Sequence, residues 1–166
     1  MKKTQDGALL RGQFHVECFD KDGNLKWVED LRNLVVNEGL NHILDVQFHA
    51  ETQVTTWYVG LKGTGSPAAG DTLASHAGWT EITAYTGDRK EFVEGAASSQ
   101  QISNTGNAAS FSITGTATVA GAFLCSVSSG SSGKLFCAAD FSSPRSVDNG
   151  DTLNVTYTIT AADDGV

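Results

Sequence analysis

The sequence predicts an all-β protein, an antiparallel β-sandwich or jelly roll with one helix near residues 34–48. Three observations carry that expectation. Short runs rich in β-branched and aromatic residues, separated by turn residues, recur along the 166-residue chain. A single early segment shows helical spacing of apolar residues, so nothing alternates strand with helix as a parallel sheet requires. Over residues 95–133 there is no Asp, Glu, Lys, Arg or His, and Ser, Ala, Gly and Thr surround isolated Ile, Phe, Val and Leu. Such a composition suits a pleated, half-buried surface and supplies no acid–base chemistry.

The elements follow in order. Residues 1–11 carry little pattern and read as a flexible N-terminal arm ahead of one sandwich domain over 12–166. Phe14, Val16 and Cys18 alternate with His15 and Glu17, which predicts a strand with one apolar face. Asp20-Lys21-Asp22-Gly23-Asn24 then supplies a tight turn, and Leu25-Lys26-Trp27-Val28 returns as the second strand of a hairpin. Val36, Leu40, Ile43, Leu44 and Phe48 recur at helical spacing, with Asn33 or Asn37 as cap, and this face is expected to lie against a sheet. Residues 55–61 form a strand with almost no polar break, followed by a loop over 62–71 and a short helical turn at 72–76. Further strands are expected near 79–84, 89–94, 108–119, 121–127, 134–139 and 152–160, about eight in all. Pro144 and Asn149-Gly150 punctuate the last connection.

Composition narrows the function. The formal charge is −8 and the eleven Lys and Arg are scattered, which argues against a nucleic-acid surface, because phosphate binding needs clustered cations. No run approaches the roughly 20 apolar residues that span a bilayer. Met1-Lys2-Lys3 is followed by Thr4-Gln5-Asp6-Gly7 where a secretion signal needs an apolar stretch, so synthesis in the cytoplasm is expected. Cys18, Cys125 and Cys137 are too few for a disulfide framework and read as small buried hydrophobes. Cys125 and Cys137 flank the loop at 128–133, and strand register decides whether they face one another.

Motifs with chemical potential each lack an essential part. The glycine-spaced loop over 65–72 resembles a phosphate-binding loop, but Asp71 stands where a Lys is needed. Asp20, Asp22 and Asn24 present oxygens at alternate positions, yet Gly23 comes too early for an EF-hand and no Glu closes the loop. His15, His42, His49 and His76 show no metal-ligand spacing. There is no Gly-x-Ser-x-Gly elbow and no cysteine-protease context. A carboxylate pair for glycoside hydrolysis would meet only in three dimensions, among the Asp and Glu before residue 95. Trp27, Trp57, Trp79, Tyr58 and Tyr85 could line a sugar-binding face, although core packing is the commoner fate of such rings. Asn154-Val155-Thr156 is a sequon inside the last expected strand. The repeated Gly-Asp-Thr-Leu at 70–73 and 150–153 reads as shared turn chemistry, with Asp capping the element that follows. The expectation is a protein without catalytic residues, cofactor or metal.

The order of these features resembles the head decoration, or capsid cement, proteins of tailed bacteriophages. Carrying the resemblance are Phe14-His15-Val16-Glu17-Cys18-Phe19-Asp20-Lys21-Asp22-Gly23-Asn24-Leu25-Lys26-Trp27 and Asn33-Leu34-Val35-Val36-Asn37-Glu38-Gly39-Leu40-Asn41. Trp57-Tyr58-Val59-Gly60-Leu61, Gly70-Asp71-Thr72 and Gly150-Asp151-Thr152-Leu153-Asn154-Val155-Thr156-Tyr157-Thr158 extend it over nearly the whole chain. It implies a β-sandwich made in the host cytoplasm and mounted in many copies on the capsid exterior, where it clamps neighbouring major capsid protein subunits. Copies of itself, as a dimer or trimer on local symmetry axes, are the second implied partner. Related patterns occur in tail-associated proteins, so a receptor- or glycan-binding module of a tail fibre or tail tip is the alternative. For partner contact the arm with Lys2, Lys3 and Arg11 comes first, and the loop residues Lys62, Ser66 and Pro67 follow.

Overall fold

Alternation in the first strand has the consequence its pattern requires, because Phe14, Val16 and Cys18 are fully buried while the residues between them reach solvent. The computed structural model describes residues 7–163. In chain order the elements are β1 (Ala8–Phe19), β2 (Leu25–Arg32), β3 (Leu34–Val35), α1 (Asn37–Phe48), β4 (Tyr58–Lys62), β5 (Glu81–Ile82), β6 (Lys90–Glu91), β7 (Gln101–Ser103), β8 (Ala109–Ser112), β9 (Ala117–Cys125), β10 (Leu135–Val147) and β11 (Thr152–Asp163). Every strand pairing is antiparallel.

Two sheets face each other. The first runs β2-β1-β11, with β7 and β8 sharing the outer edge of β11. The second runs β3-β10-β9-β4, with β5 and β6 sharing the outer edge of β4. The inner core lies between them: Phe14, Phe111, Leu153, Val155 and Tyr157 from one side meet Val59, Leu61, Leu124 and Ala139 from the other. A smaller core of Val36, Leu73, Trp79, Phe123, Cys125 and Leu135 covers the opposite face of the second sheet. Both faces of that sheet are therefore dry, and β9 and β4 lack the polar alternation of a strand wet on one side.

The sandwich and its one helix stand as the sequence predicts, and the hairpin at 20–24 closes as expected. Asp20 accepts hydrogen bonds from the backbone N–H of Asp22 and of Asn24, and Gly23 takes a φ of 84° that side chains disfavour. These bonds, the side-chain amide of Asn24 foremost, hold the Asp20 carboxyl below its usual range. Other boundaries move for physical reasons. β1 begins at Ala8 and pairs with β11 from its first residue, so Arg11 lies in the sheet opposite Thr160; residues 1–6 fall outside the described part. α1 starts at residue 37 and not 34, because Leu34 and Val35 pair with β10 and Val36 is extended. Neither Asn33 nor Asn37 caps it: the cap position is Val36, without a side-chain hydrogen bond. At 72–76 there is no helical turn, since Thr72 and Ser75 exchange backbone hydrogen bonds as a minimal bridge.

The run expected as one strand over 108–119 breaks where the chain crosses from the first sheet to the second, between β8 and β9. Pro144 lies within β10 and not in a connection. Register against β9 jumps between Asp140 and Arg145, so its missing N–H removes no ladder bond. The same kind of irregularity between Leu135 and Cys137 turns Cys125 and Cys137 to opposite faces of the sheet, one in each core. The Gly-Asp-Thr-Leu repeat is shared turn chemistry of an unexpected sense. Each Asp carboxylate reaches back three residues, Asp71 to the N–H of Ala68 and Asp151 to that of Asp148, and so closes the preceding turn.

Candidate functional site: the outward face of the helix

A glycine inside a helix usually marks a close approach, and Gly39 is such a position. A Cβ there would lie 2.3 Å from the carbonyl oxygen of Phe136, so the helix can rest on β10 only through glycine. Two further anchors fix its rotation. Val36, just ahead of the first turn, is buried in the outer core, and Glu38 accepts hydrogen bonds from the backbone N–H of Leu73 (3.1 Å) and of Leu135 (2.6 Å). His42 completes the inward side, buried edge-on against Trp57 with Nδ1 3.2 Å from Glu51. Lys134 pairs with the same carboxylate at 2.8 Å and holds it below the usual range.

Gly39, His42 and the anchors take the inner side, so the apolar stripe expected to pack on a sheet points outward. Leu40 is 41 % exposed, Ile43 38 %, Leu44 55 % and Phe48 79 %. This corrects the sequence expectation, and its cause is the Gly39 contact, which no side chain on the stripe can replace. Gly39→Ala is predicted to destabilise the fold by about 1–3 kcal/mol in urea unfolding, the overpacking against β10 outweighing the better helix propensity of alanine. An unchanged midpoint would mean that the helix does not rest on Phe136.

Beside the stripe runs a groove of about 430 Å³. Its floor is Trp57 and Phe136, its helical wall Ile43 and Phe48, and its far wall Leu10 and Ile159 near the paired ends of β1 and β11. The helix closes at that end by a backbone bond from Glu51 to Asp45, with Ala50 in the left-handed region at φ 58°.

The residues singled out from sequence are not brought together. Lys2 and Lys3 lie outside the described residues. Arg11 is exposed on β1. Lys62 is fully buried, its ammonium held by the carbonyl oxygens of Gly63 and Gly65 and by Asp140 at 2.7 Å. Ser66 is exposed and Pro67 half-buried on a segment that folds back over the second sheet, where Ala69 accepts the N–H of Asn37. The five aromatic residues divide between the two cores: Trp79 and Tyr58 belong to the outer one, and Trp27 packs against Phe141, Trp57 against Phe136 and Tyr85 against Phe111 in the inner one.

The titratable groups are distributed as structural pairs. Burial pushes the Cys18 thiol up to about 11 and that of Cys137 to about 12, which leaves both protonated and poorly nucleophilic. Among the described residues no three of His, Cys, Asp and Glu gather where a metal would be held. Among them, too, no helix is long and apolar enough to cross a membrane. The largest exposed apolar feature among the described residues is the stripe with its groove.

Residues 30–161 match the family model described as Podophage GP4 fiber I protein gp80. No curated protein matches the chain.

Proposed function

The chain belongs to the podophage GP4 fiber I protein gp80 family and so is a phage virion structural protein, and we propose that it serves the particle as a non-catalytic assembly part that docks through the outward face of α1. One observation carries this reading: four large apolar side chains stand in solvent beside an apolar groove, at a cost that folding alone does not explain. Contiguous apolar surface on this scale marks an interaction site.

Its position on the particle separates two readings. The first is the capsid exterior, in contact with the major capsid protein; the sequence resemblance to head decoration proteins supports it. On a shell of many equivalent sites, weak contacts made at several points gain from effective concentration. The second is a fibre, supported by the description of the family. Counting the protein in purified particles by quantitative mass spectrometry distinguishes them: copies on the order of hundreds give the head surface, about a dozen or fewer the fibre. Particles assembled with Leu44→Asp or Phe48→Ser are expected to lose most of their bound copies. Full occupancy with both variants would sink the docking role.

A further inference from the structure

Of the twelve residues of α1 only Gly39 and His42 are buried, so the helix is held at a few points and not along a face. Its beginning is well fixed. Val36 lies in the outer core, the Asn37 N–H donates to Ala69, the Glu38 carboxylate accepts two backbone N–H groups and Gly39 rests on Phe136. The second half has less to hold it. Ile43, Leu44, Gln47, Phe48 and His49 are exposed, and Asp45 and Val46 are half-buried. The last turn carries no basic residue to meet the negative end of the helix, and residues 50–57 continue as neither helix nor strand. A helix of this length is marginal by its own propensity, since isolated helices shorter than about 12–15 residues barely persist in water.

One polar cluster ties this half down. The Glu51 N–H donates to Asp45, and the Glu51 carboxylate meets Nδ1 of His42 at 3.2 Å and Nζ of Lys134 at 2.8 Å. Lys134 stands immediately before β10, so the carboxylate links the far end of the helix to the second sheet. The charged groups around it are His42, Glu38 and Asp45 of the helix and Lys134 from the sheet side, with Glu94 on the lining of the groove that His42 shares. The hydrogen bond of Lys134 foremost, and then that of His42, hold the Glu51 carboxyl below 4.5. Its contribution is therefore present above that value and is lost as pH falls through the lower folded one. Protonation takes from His42 and Lys134 the acceptor they share. Beneath this half of the helix lie Trp57 and Phe136, the floor of the groove that Ile43, Val46 and Phe48 wall.

We propose that residues 43–56 form a flap latched by Glu51, which opens as a unit while both sheets stay folded and uncovers Trp57 and Phe136. Acid releases the latch. The device sets access to the groove and goes beyond the docking role, since it holds whichever partner the outward face meets.

Hydrogen exchange of the full chain, read peptide by peptide by mass spectrometry and expressed as protection against the unstructured rate at each pH, tests it. At pH 7 the amides of residues 43–51 are expected to be at least about 100-fold less protected than those of β1 and β11. Glu51→Gln, which keeps the shape of the side chain and removes its charge, is expected to lower the protection of 43–51 a further 3–10-fold or so and to leave β1 and β11 unchanged. That difference between wild type and variant is expected to close as pH falls below about 4.5. Equal protection of 43–51 and the two strands would mean that the helix opens only with the whole fold. A Glu51→Gln loss spread evenly over helix and strands would mean that the carboxylate supports the sandwich at large, and a difference that persists in acid would mean that it acts by shape and not by charge. Each of these results overturns the proposal.

Discussion

Tyr157→Ala is expected to lower the unfolding free energy by about 3–5 kcal/mol, the range for removing a large aromatic ring from a packed interior. Tyr157 is completely buried, and its ring stacks on Phe14 at 4.1 Å between centroids. Its backbone N–H donates to Asn104, itself fully buried. The phenol oxygen accepts from the side-chain amide of Asn33 at 2.8 Å and from the Cys137 thiol at 3.2 Å. Burial drives the hydroxyl well above the ordinary tyrosine value, so it stays neutral. Tyr157→Phe keeps the ring and removes only the oxygen, which leaves the Asn33 amide without that acceptor, and about 1–2 kcal/mol is expected. Urea unfolding followed by tryptophan fluorescence measures both. A Tyr157→Ala loss below about 1 kcal/mol would mean that the two sheets do not meet on this ring.

The second large effect is at the pair that joins β2 to β10. The Glu29 carboxylate, 5 % exposed, accepts from Arg145 at 2.6 and 2.8 Å and from the N–H and hydroxyl of Ser142 at 3.1 and 3.0 Å. Burial alone would raise its carboxyl, but the hydrogen bonds of Arg145 and Ser142 outweigh that and hold it below the usual 4.5. Arg145→Ala leaves this charge with Ser142 only. A loss of about 2–3 kcal/mol near neutral pH is expected, at the low end for broken buried pairs because Arg145 is 37 % exposed.

The pH dependence gives the pair its signature. A depressed carboxyl stabilises the native protein above its unfolded value of 4.5, and that contribution is lost as pH falls through the lower folded value. In Arg145→Ala the burial effect is less opposed and the folded carboxyl rises. The difference between wild type and variant should therefore narrow on acidification below about pH 4.5. Chemical unfolding of both proteins across that range is the measurement. A difference that stays constant would show that Arg145 acts by packing and not by charge.

Much of the architecture was legible because it rests on local pattern. The alternation of Phe14, Val16 and Cys18, the Asp20–Asn24 turn and the β-rich runs after residue 100 each dictate a local conformation, and those conformations sum to a sandwich. Boundaries were less legible. Leu34 and Val35 fit a helix as well as a strand until β10 offers them hydrogen bonds, and Pro144 looks like a break until a register jump accommodates it. The packing of the helix was misread for a related reason. The periodicity of Leu40, Ile43, Leu44 and Phe48 identifies a face but does not say what lies against it. One signal was present, Gly39 in mid-helix, since glycine there points to the side on which a backbone approaches. Lys62 misled in the opposite sense: a lysine beside a loop suggests the surface, yet three oxygens take its ammonium into the interior.

By itself the sequence determined the class of fold, the single helix, the tight turns and a surface acidic overall, because each follows from side-chain shape, φ preference or charge acting over a few residues. Which face of the helix is buried, that Cys125 and Cys137 point to opposite faces of the sheet and that Lys62 lies in the interior were decided only by the tertiary structure. Those outcomes depend on contacts between segments as distant as Gly39 and Phe136, and a spacing along the chain holds no record of the partner across it.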